Sequence, residues 1–204
     1  MIEHAPNAPE GSIETWFDWY ASDIGPQDVI LCRNTAPLIG VAFALLGARH
    51  PCYVLGRDIG AGLTALVKKM KANSILELTD KLRDYEHTKT EDLKDKGKDS
   101  AIANLKDKCE CVRMFMQNAK SVQEVLLIIS ELFGEEKKNV TTLSTIHRAK
   151  GGEWDRVFIL DVGLMPSKYA TEEWQQQQEV NLIYVAVTRA KLDIIYIDSG
   201  DFQR

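Results

Sequence analysis

The chain has 204 residues, of which 45% are hydrophobic and 27% charged, with a formal net charge of −5. That length fits one or one-and-a-half ordinary domains, and that composition predicts a packed core rather than disorder. The acidic balance speaks against a free-standing nucleic-acid binder, because phosphate contacts supply most non-specific affinity, but it leaves room for a local basic groove or a site shared with another domain.

In chain order, residues 1–10 are polar and proline-bearing; they read as a loose entry without a signal-peptide pattern. Ile13, Trp16, Phe17 and Tyr20 recur at helical spacing and predict a short amphipathic helix that Gly25-Pro26 ends. Val29–Cys32 is apolar throughout, as in a strand buried on both faces. Pro37 opens a helix through Leu46, closed by Gly47. Residues 52–55 predict a second strand, and Gly56 to Gly62 turn the chain into a helix with Leu63, Leu66, Val67 and Met70 on one face. The longest apolar stretch, residues 36–48, falls short of the roughly 20 needed to cross a membrane, so a cytoplasmic location without membrane contact is expected.

The middle is helical in pattern. Ile75, Leu78, Leu82 and Tyr85 form one stripe, and Ile102, Leu105, Cys109, Val112 and Met116 form another. Ser121-x-x-Glu124 is a capping box that opens a third helix, with Val122, Val125, Leu126, Ile129 and Leu132 facing inward. Residues 86–100, rich in Lys, Asp and Glu, read as a solvated or mobile connection; their mixed signs argue against a basic DNA-binding patch. Beyond residue 139, residues 140–143, 156–160 and 192–197 are strand-like, and a long helix over about 172–189 precedes the last of them. Alternating strands and helices around an all-helical block predict an α/β parallel sheet with an inserted helical subdomain. The division is residues 1–71 and 136–204 for the sheet domain and 72–135 for the insertion. Cys32 and Cys52 sit in apolar stretches as small core residues; Cys109-x-Cys111 lacks a second pair at zinc spacing, so no metal site is expected.

Two segments carry chemistry. Thr145-Ile146-His147-Arg148-Ala149-Lys150-Gly151-Gly152-Glu153-Trp154-Asp155 lies between two strands, on a loop at a sheet edge where α/β folds place ligands. His147, Arg148 and Lys150 supply donors for phosphate or base, Gly151-Gly152 permits close approach, and Glu153 is an acceptor suited to a ribose hydroxyl. A plain polar surface loop is the alternative. The second segment, Gln178-Glu179-Val180-Asn181-Leu182-Ile183-Tyr184-Val185-Ala186-Val187-Thr188-Arg189-Ala190-Lys191, places Val180, Ile183, Tyr184 and Val187 on a helix packed against the sheet. Arg189 then comes at the helix end, just before a strand. A guanidinium mounted there can grip a phosphate with two parallel bonds, or simply complement the helix C-terminus.

Order, spacing and wording of the two segments resemble motifs V and VI of the UvrD/Rep-like superfamily-one helicases: TIHRAKGGEWDRVF stands against T-h-H-x-A-K-G-x-E-[FW]-x-x-V-F, where h is apolar, and EVNLIYVAVTRA against E-x-x-x-L-x-Y-V-A-x-T-R-A. Ile30-Leu31-Cys32-Arg33-Asn34 and Tyr53-Val54-Leu55-Gly56 are similar to the opening of the same domain, so the resemblance covers residues 29–70 and 140–198. It implies the second, RecA-like motor domain of a 3′-to-5′ DNA helicase, with the helical middle as the family's variable insertion. Arg189 would then be an arginine finger on the γ-phosphate of ATP bound between two motor domains, Glu153 would meet the nucleotide ribose, and Gly152 would let the loop approach. Thr145 and His147 would contact single-stranded DNA, with Arg33 and Asn34 as further candidates, and Lys150 would hold the loop or meet phosphate.

The chain departs from a complete motor: it has no G-x-x-x-x-G-K-[ST] loop and no Asp-Glu magnesium pair, and the earlier motif with a second γ-phosphate arginine is expected before residue 1. ATP and Mg2+ would be held mainly by an N-terminal motor domain of the same helicase, and this chain alone is expected to hydrolyse nothing. Asp161, after the apolar run Phe158-Ile159-Leu160, is taken as a strand-end residue rather than a metal ligand. Gly56 to Gly62 has the wrong spacing for a dinucleotide-binding turn. The alternative function is a non-catalytic DNA- or protein-binding module derived from a helicase.

Overall fold

The computed structural model describes residues 10–134 and 139–203; the entry segment 1–9 and the expected boundary at 136 lie outside them. In chain order the strands are β1 (Ile13–Thr15), β2 (Trp19–Tyr20), β3 (Val29–Cys32), β4 (Cys52–Val54), β5 (Thr141–Thr145), β6 (Trp154–Leu160), β7 (Ala190–Ile197) and β8 (Phe202–Gln203). The helices are α1 (Thr35–Gly47), α2 (Arg57–Met70), α3 (Ile75–Asp95), α4 (Asp99–Gln117), α5 (Val122–Leu132) and α6 (Glu173–Val187). Six of these strands form one sheet among the described residues, in the order β1-β7-β6-β3-β5-β4 and parallel throughout; β2 and β8 make a separate parallel pair. This is the expected RecA-like α/β architecture. No helix among the described residues is long and apolar enough to cross a membrane.

The central strands explain themselves through period-two alternation. In β3, Ile30 and Cys32 point into one apolar layer while Val29 and Leu31 point into the other. Phe158 and Leu160 of β6 join the first layer, and Val157 and Ile159 the second. A strand covered on both faces must be apolar at every position, which is why these runs are legible. The first layer is continuous with α1, α2 and the helices over 75–132, through Leu38, Leu63, Leu82, Phe115 and Ile129. The second is smaller and belongs to α6 and the segment after β5, through Ile146, Ala149, Leu182 and Ala186.

Local rules seat the helices. The backbone N–H groups of Thr35 and Ala36 donate to the Asp107 carboxylate of α4 at 3.0 and 3.1 Å, so the start of α1 is capped from outside; Pro37, next in the first turn, has no N–H to satisfy. Ser121 Oγ accepts from the Glu124 N–H at 3.1 Å, as the capping box predicts, whereas the Glu124 carboxylate turns to the Lys120 N–H at 2.6 Å. The helix after β4 begins at Arg57, earlier than the glycines suggested, because Gly56 at φ 138° makes the turn alone.

Three expectations are corrected. Residues 13–20 form no helix: β1 pairs with β7 and β2 with β8, while Phe17 is 77% exposed, so strand pairing at the sheet edge overrides an apparent helical period. The charged run over 86–100 is no loose connection: α3 continues to Asp95 and only a short turn with Gly97 at φ 62° separates it from α4. Ion pairs one helical turn apart, Lys89–Asp92, Glu91–Lys94 and Asp92–Lys96, hold that polar half. Finally, α6 does not pack through Val180 and Tyr184, which are 56% and 59% exposed; it buries Glu179, Leu182 and Ala186, with Ile183 and Val187 half-buried.

Gly60 lies inside α2, and a Cβ there would sit 2.6 Å from Phe133 Cβ at the end of α5. Glycine to alanine in a free helix gains about 1 kcal/mol, but overpacking a tight contact costs about 1–3 kcal/mol. Gly60→Ala is therefore expected to destabilise, read as a lower urea midpoint with unchanged slope.

Candidate functional site

Parallel strands put all their C-terminal ends on one edge of the sheet. There, Arg33 and Asn34 follow β3, and Thr145 closes β5 with His147 just beyond. These four residues line one groove of about 1200 Å³, whose other walls are α4 and the connection from β6 to α6. Lys150 is exposed and lies away from that lining.

Arg33 is spoken for. Its Nε and Nη2 reach the Glu179 carboxylate at 3.1 and 2.9 Å, and the same carboxylate accepts the Ser167 N–H at 2.8 Å. The side chains are 19% and 9% exposed, so this is a sheltered pair that ties β3, the β6–α6 connection and α6 together. Burial alone pushes the Glu179 carboxyl up, but the bonds from Arg33 and Ser167 outweigh it and hold its pKa below the ordinary 4.5. Glu179, not singled out from the sequence, is therefore a structural centre of the groove. Its signal was available: it occupies the buried stripe with Leu182 and Ala186, where an acid needs a partner. His147 is an exposed residue on the groove wall; desolvation, then the Arg33 charge, lowers its pKa below 6.5, while Glu179 pulls the other way.

The segment after β5 does not stay at this edge. It starts with Ile146 N–H bonded to the Cys32 carbonyl and winds through bonds from Arg148 and Ala149 to the Thr145 carbonyl. Ile146 and Ala149 bury against the second apolar layer, and Arg148 pairs with Asp58 at the start of α2. The segment then delivers Gly152 and Glu153 to the start of β6, at the opposite, N-terminal edge of the sheet. Arg189 stands at the same place, just before β7, because Trp154 pairs with Ala190. The expectation of a loop confined to one sheet edge is thus corrected: it crosses a face and joins both.

At the N-terminal edge, Arg189 Nη1 donates to the Gly152 carbonyl at 2.9 Å, Nε to the Val185 carbonyl at 3.1 Å, and Nη2 to Thr188 Oγ1 at 3.1 Å. The Trp154 N–H donates to the Arg189 carbonyl at 2.9 Å, which locks the two strand starts together. Among the described residues no carboxylate pairs with Arg189, and the exposed Glu153 has no hydrogen bond or ion pair. A Cβ on Gly152 would overlap the Trp154 indole, so glycine is required there by packing. Asp161 does close β6, at φ 51°, and accepts the Ser199 N–H at 2.7 Å. Burial, and then a bond from Asp198, raise its pKa.

The family model of the UvrD-like helicase C-terminal domain matches residues 57–199, more than half of the chain. No curated protein matches it.

Both depressed groups weaken the fold in acid. Below pH 6.5 the unfolded chain takes up a proton that folded His147 refuses; below 4.5 the unfolded carboxyl protonates while folded Glu179 stays ionised until its lower pKa is passed. Unfolding free energy is expected to fall in two stages, beginning under pH 6.5. Glu179→Gln shrinks the second stage, to which the lysine-paired Glu77, Glu91 and Asp92 also contribute, leaves Arg33 without its counter-charge at a cost of about 3 kcal/mol, and moves the His147 titration midpoint further down, as read by NMR.

Proposed function

The chain belongs to the UvrD-like helicase C-terminal domain family, and from that premise we propose that it serves as the second motor domain of an ATP-dependent 3′-to-5′ DNA helicase. The single-strand contact falls to Thr145, His147 and Asn34 in the groove, with Lys150 on the crossing segment. Arg33 contributes through its pair with Glu179. The nucleotide falls to Arg189, Glu153 and Gly152 at the opposite edge. The phosphate loop and Mg2+ are assigned to an N-terminal motor domain, since this sequence carries neither the G-x-x-x-x-G-K-[ST] loop nor the Asp-Glu pair. The division into a motor part (1–71 and 136–204) and an inserted helical part (72–135) belongs to the same proposal.

One observation supports the finger above the rest: among the described residues, the Arg189 guanidinium is held only by neutral oxygens. A phosphate meets the guanidinium with opposite full charge and two parallel bonds, whereas a neutral oxygen offers it only a dipole. A γ-phosphate presented by the partner domain therefore competes well for these donors, which an internal carboxylate would have resisted. The carbonyl of Gly152 meanwhile keeps the side chain aimed, so little orientation is lost on engagement. Glu153, unpaired one residue along, is free to accept a ribose hydroxyl.

In the complete helicase, Arg189→Ala is expected to lower ATP turnover by about a thousandfold or more while strand affinity changes less than twofold. His147→Ala should reduce strand stimulation of turnover more than it changes nucleotide binding. The isolated chain should show no ATP hydrolysis. Helicase-like hydrolysis by that chain, or full turnover in Arg189→Ala, would remove the finger assignment; a non-catalytic module would instead leave turnover absent in the natural full-length protein.

A further inference from the structure

The acids of the large groove are already engaged. Glu179 is paired with Arg33, Glu86 and Glu110 both pair with Arg113, and the Asp107 carboxylate caps α1. Two cations are left over: Lys106 on α4 and Lys168 on the β6–α6 connection line the groove without a carboxylate partner among the described residues. Both stand over the same ring. Lys106 Nζ lies 5.9 Å and Lys168 Nζ 5.4 Å from the centroid of Tyr169, which also lines the groove. The groove's charged side chains balance in number, four acids against four bases, but the two cations without a carboxylate partner are gathered around one aromatic ring.

We propose that Tyr169 is a stacking platform for one base of a single nucleic-acid strand, and that Lys106 and Lys168, whose ammonium groups lie over the ring in the free chain, swing aside to meet phosphates beside that base. A base offers a flat π-face for the ring and a polyanionic backbone for the lysines, the combination that single-strand sites use. The groove, at about 1200 Å³, exceeds the range of roughly 300–1,000 Å³ usual for a compact small molecule, and its open trough suits an extended chain. Lys106 and Tyr169 come from opposite walls, so a strand lying between the sheet edge and α4 touches both. A second cross-groove contact, Gln175 Nε2 to Ser100 Oγ at 3.2 Å, is exposed and gives way to a strand without breaking the core. The inference rests on the proposed strand contact at Thr145 and His147 and adds residues outside the two motif segments.

The test is fluorescence anisotropy with labelled oligothymidylate of about 15 nucleotides, and with an abasic phosphodiester of the same length, on the full chain at low salt. Tyr169→Ala is expected to weaken the thymidylate on the order of tenfold and to leave the abasic strand unchanged. Tyr169→Phe should retain the affinity. Replacing both lysines by alanine should flatten the salt dependence by about 1.4 in log–log slope, at roughly 0.7 per contact. Unchanged melting temperatures confirm that each variant is folded. Unaltered thymidylate binding in Tyr169→Ala, with binding lost in His147→Ala, overturns the platform and leaves the strand contact standing. Competition by free thymidine monophosphate as strong as by the oligomer, nucleotide for nucleotide, marks a mononucleotide pocket and also overturns it. Absence of any binding by the unaltered chain overturns both.

Discussion

The pair between Arg33 and Glu179 is the constraint on which the functional geometry hangs. α6 has fifteen residues but buries only Glu179, Leu182 and Ala186. Two buried apolar side chains, one of them a small alanine, with Val185 and Val187 only partly buried against the same layer, hold a helix of that length loosely; burial at about 25 cal/mol per Å² yields only a few kcal/mol for such a contact. The bidentate bond to Arg33, with the Ser167 N–H as third partner, fixes what packing leaves loose. It also sets the helix rotation, since seating a carboxylate inward turns Val180 and Tyr184 out to solvent. Ionic pairs of this kind add little net stability against apolar substitutes, and their contribution here is to orientation.

Orientation matters because α6 runs from one edge of the sheet to the other. At a rise of about 1.5 Å per residue, Glu179 beside the groove and Arg189 at the far edge are on the order of 15 Å apart along one rigid element. The segment after β5 makes the same journey on the same face, from Thr145 to Glu153. The candidate strand groove and the candidate nucleotide edge are thus joined by two parallel members, bonded to each other at the end through Arg189 and the Gly152 carbonyl. In the proposed function, this frame is the physical connection between strand contact at His147 and phosphate contact at Arg189.

Legibility in the sequence followed the locality of the cause. Val29–Cys32 could be read because burial on both faces demands four apolar residues in a row, and Ser121-Glu124 because a cap is a contact three residues long. The motif segments were legible as wording, and Arg189 and Gly152 do meet. Ile13 and Phe17 misled because edge strands need no apolar stripe, so chance spacing passed for a helix. Residues 86–95 mislead because a dense run of charge resembles a loop, although the Lys89–Asp92 and Asp92–Lys96 spacings are those of a helix. Glu179, Lys106 and Tyr169 could not have been placed in one groove from spacing alone. Their meeting depends on α4 folding back over the sheet edge, and no local pattern encodes that.

The sheet also imposes an order of assembly on the growing polypeptide. β3 is one of its two central strands, yet both its neighbours come much later: Val29 meets Thr142 and Val157. β1 closes only against the last strand, Ile13 against Ile194. A ribosome therefore releases a bare ribbon of valine, isoleucine and leucine long before anything can pair with it, while α3, α4 and α5 mature from neighbouring sequence in the meantime. Distant pairings of this sort slow folding and leave sticky edges uncovered. During synthesis α1 is the near neighbour that covers one face of β3, and the helical middle, through α4, then shelters α1 before the partner strands arrive.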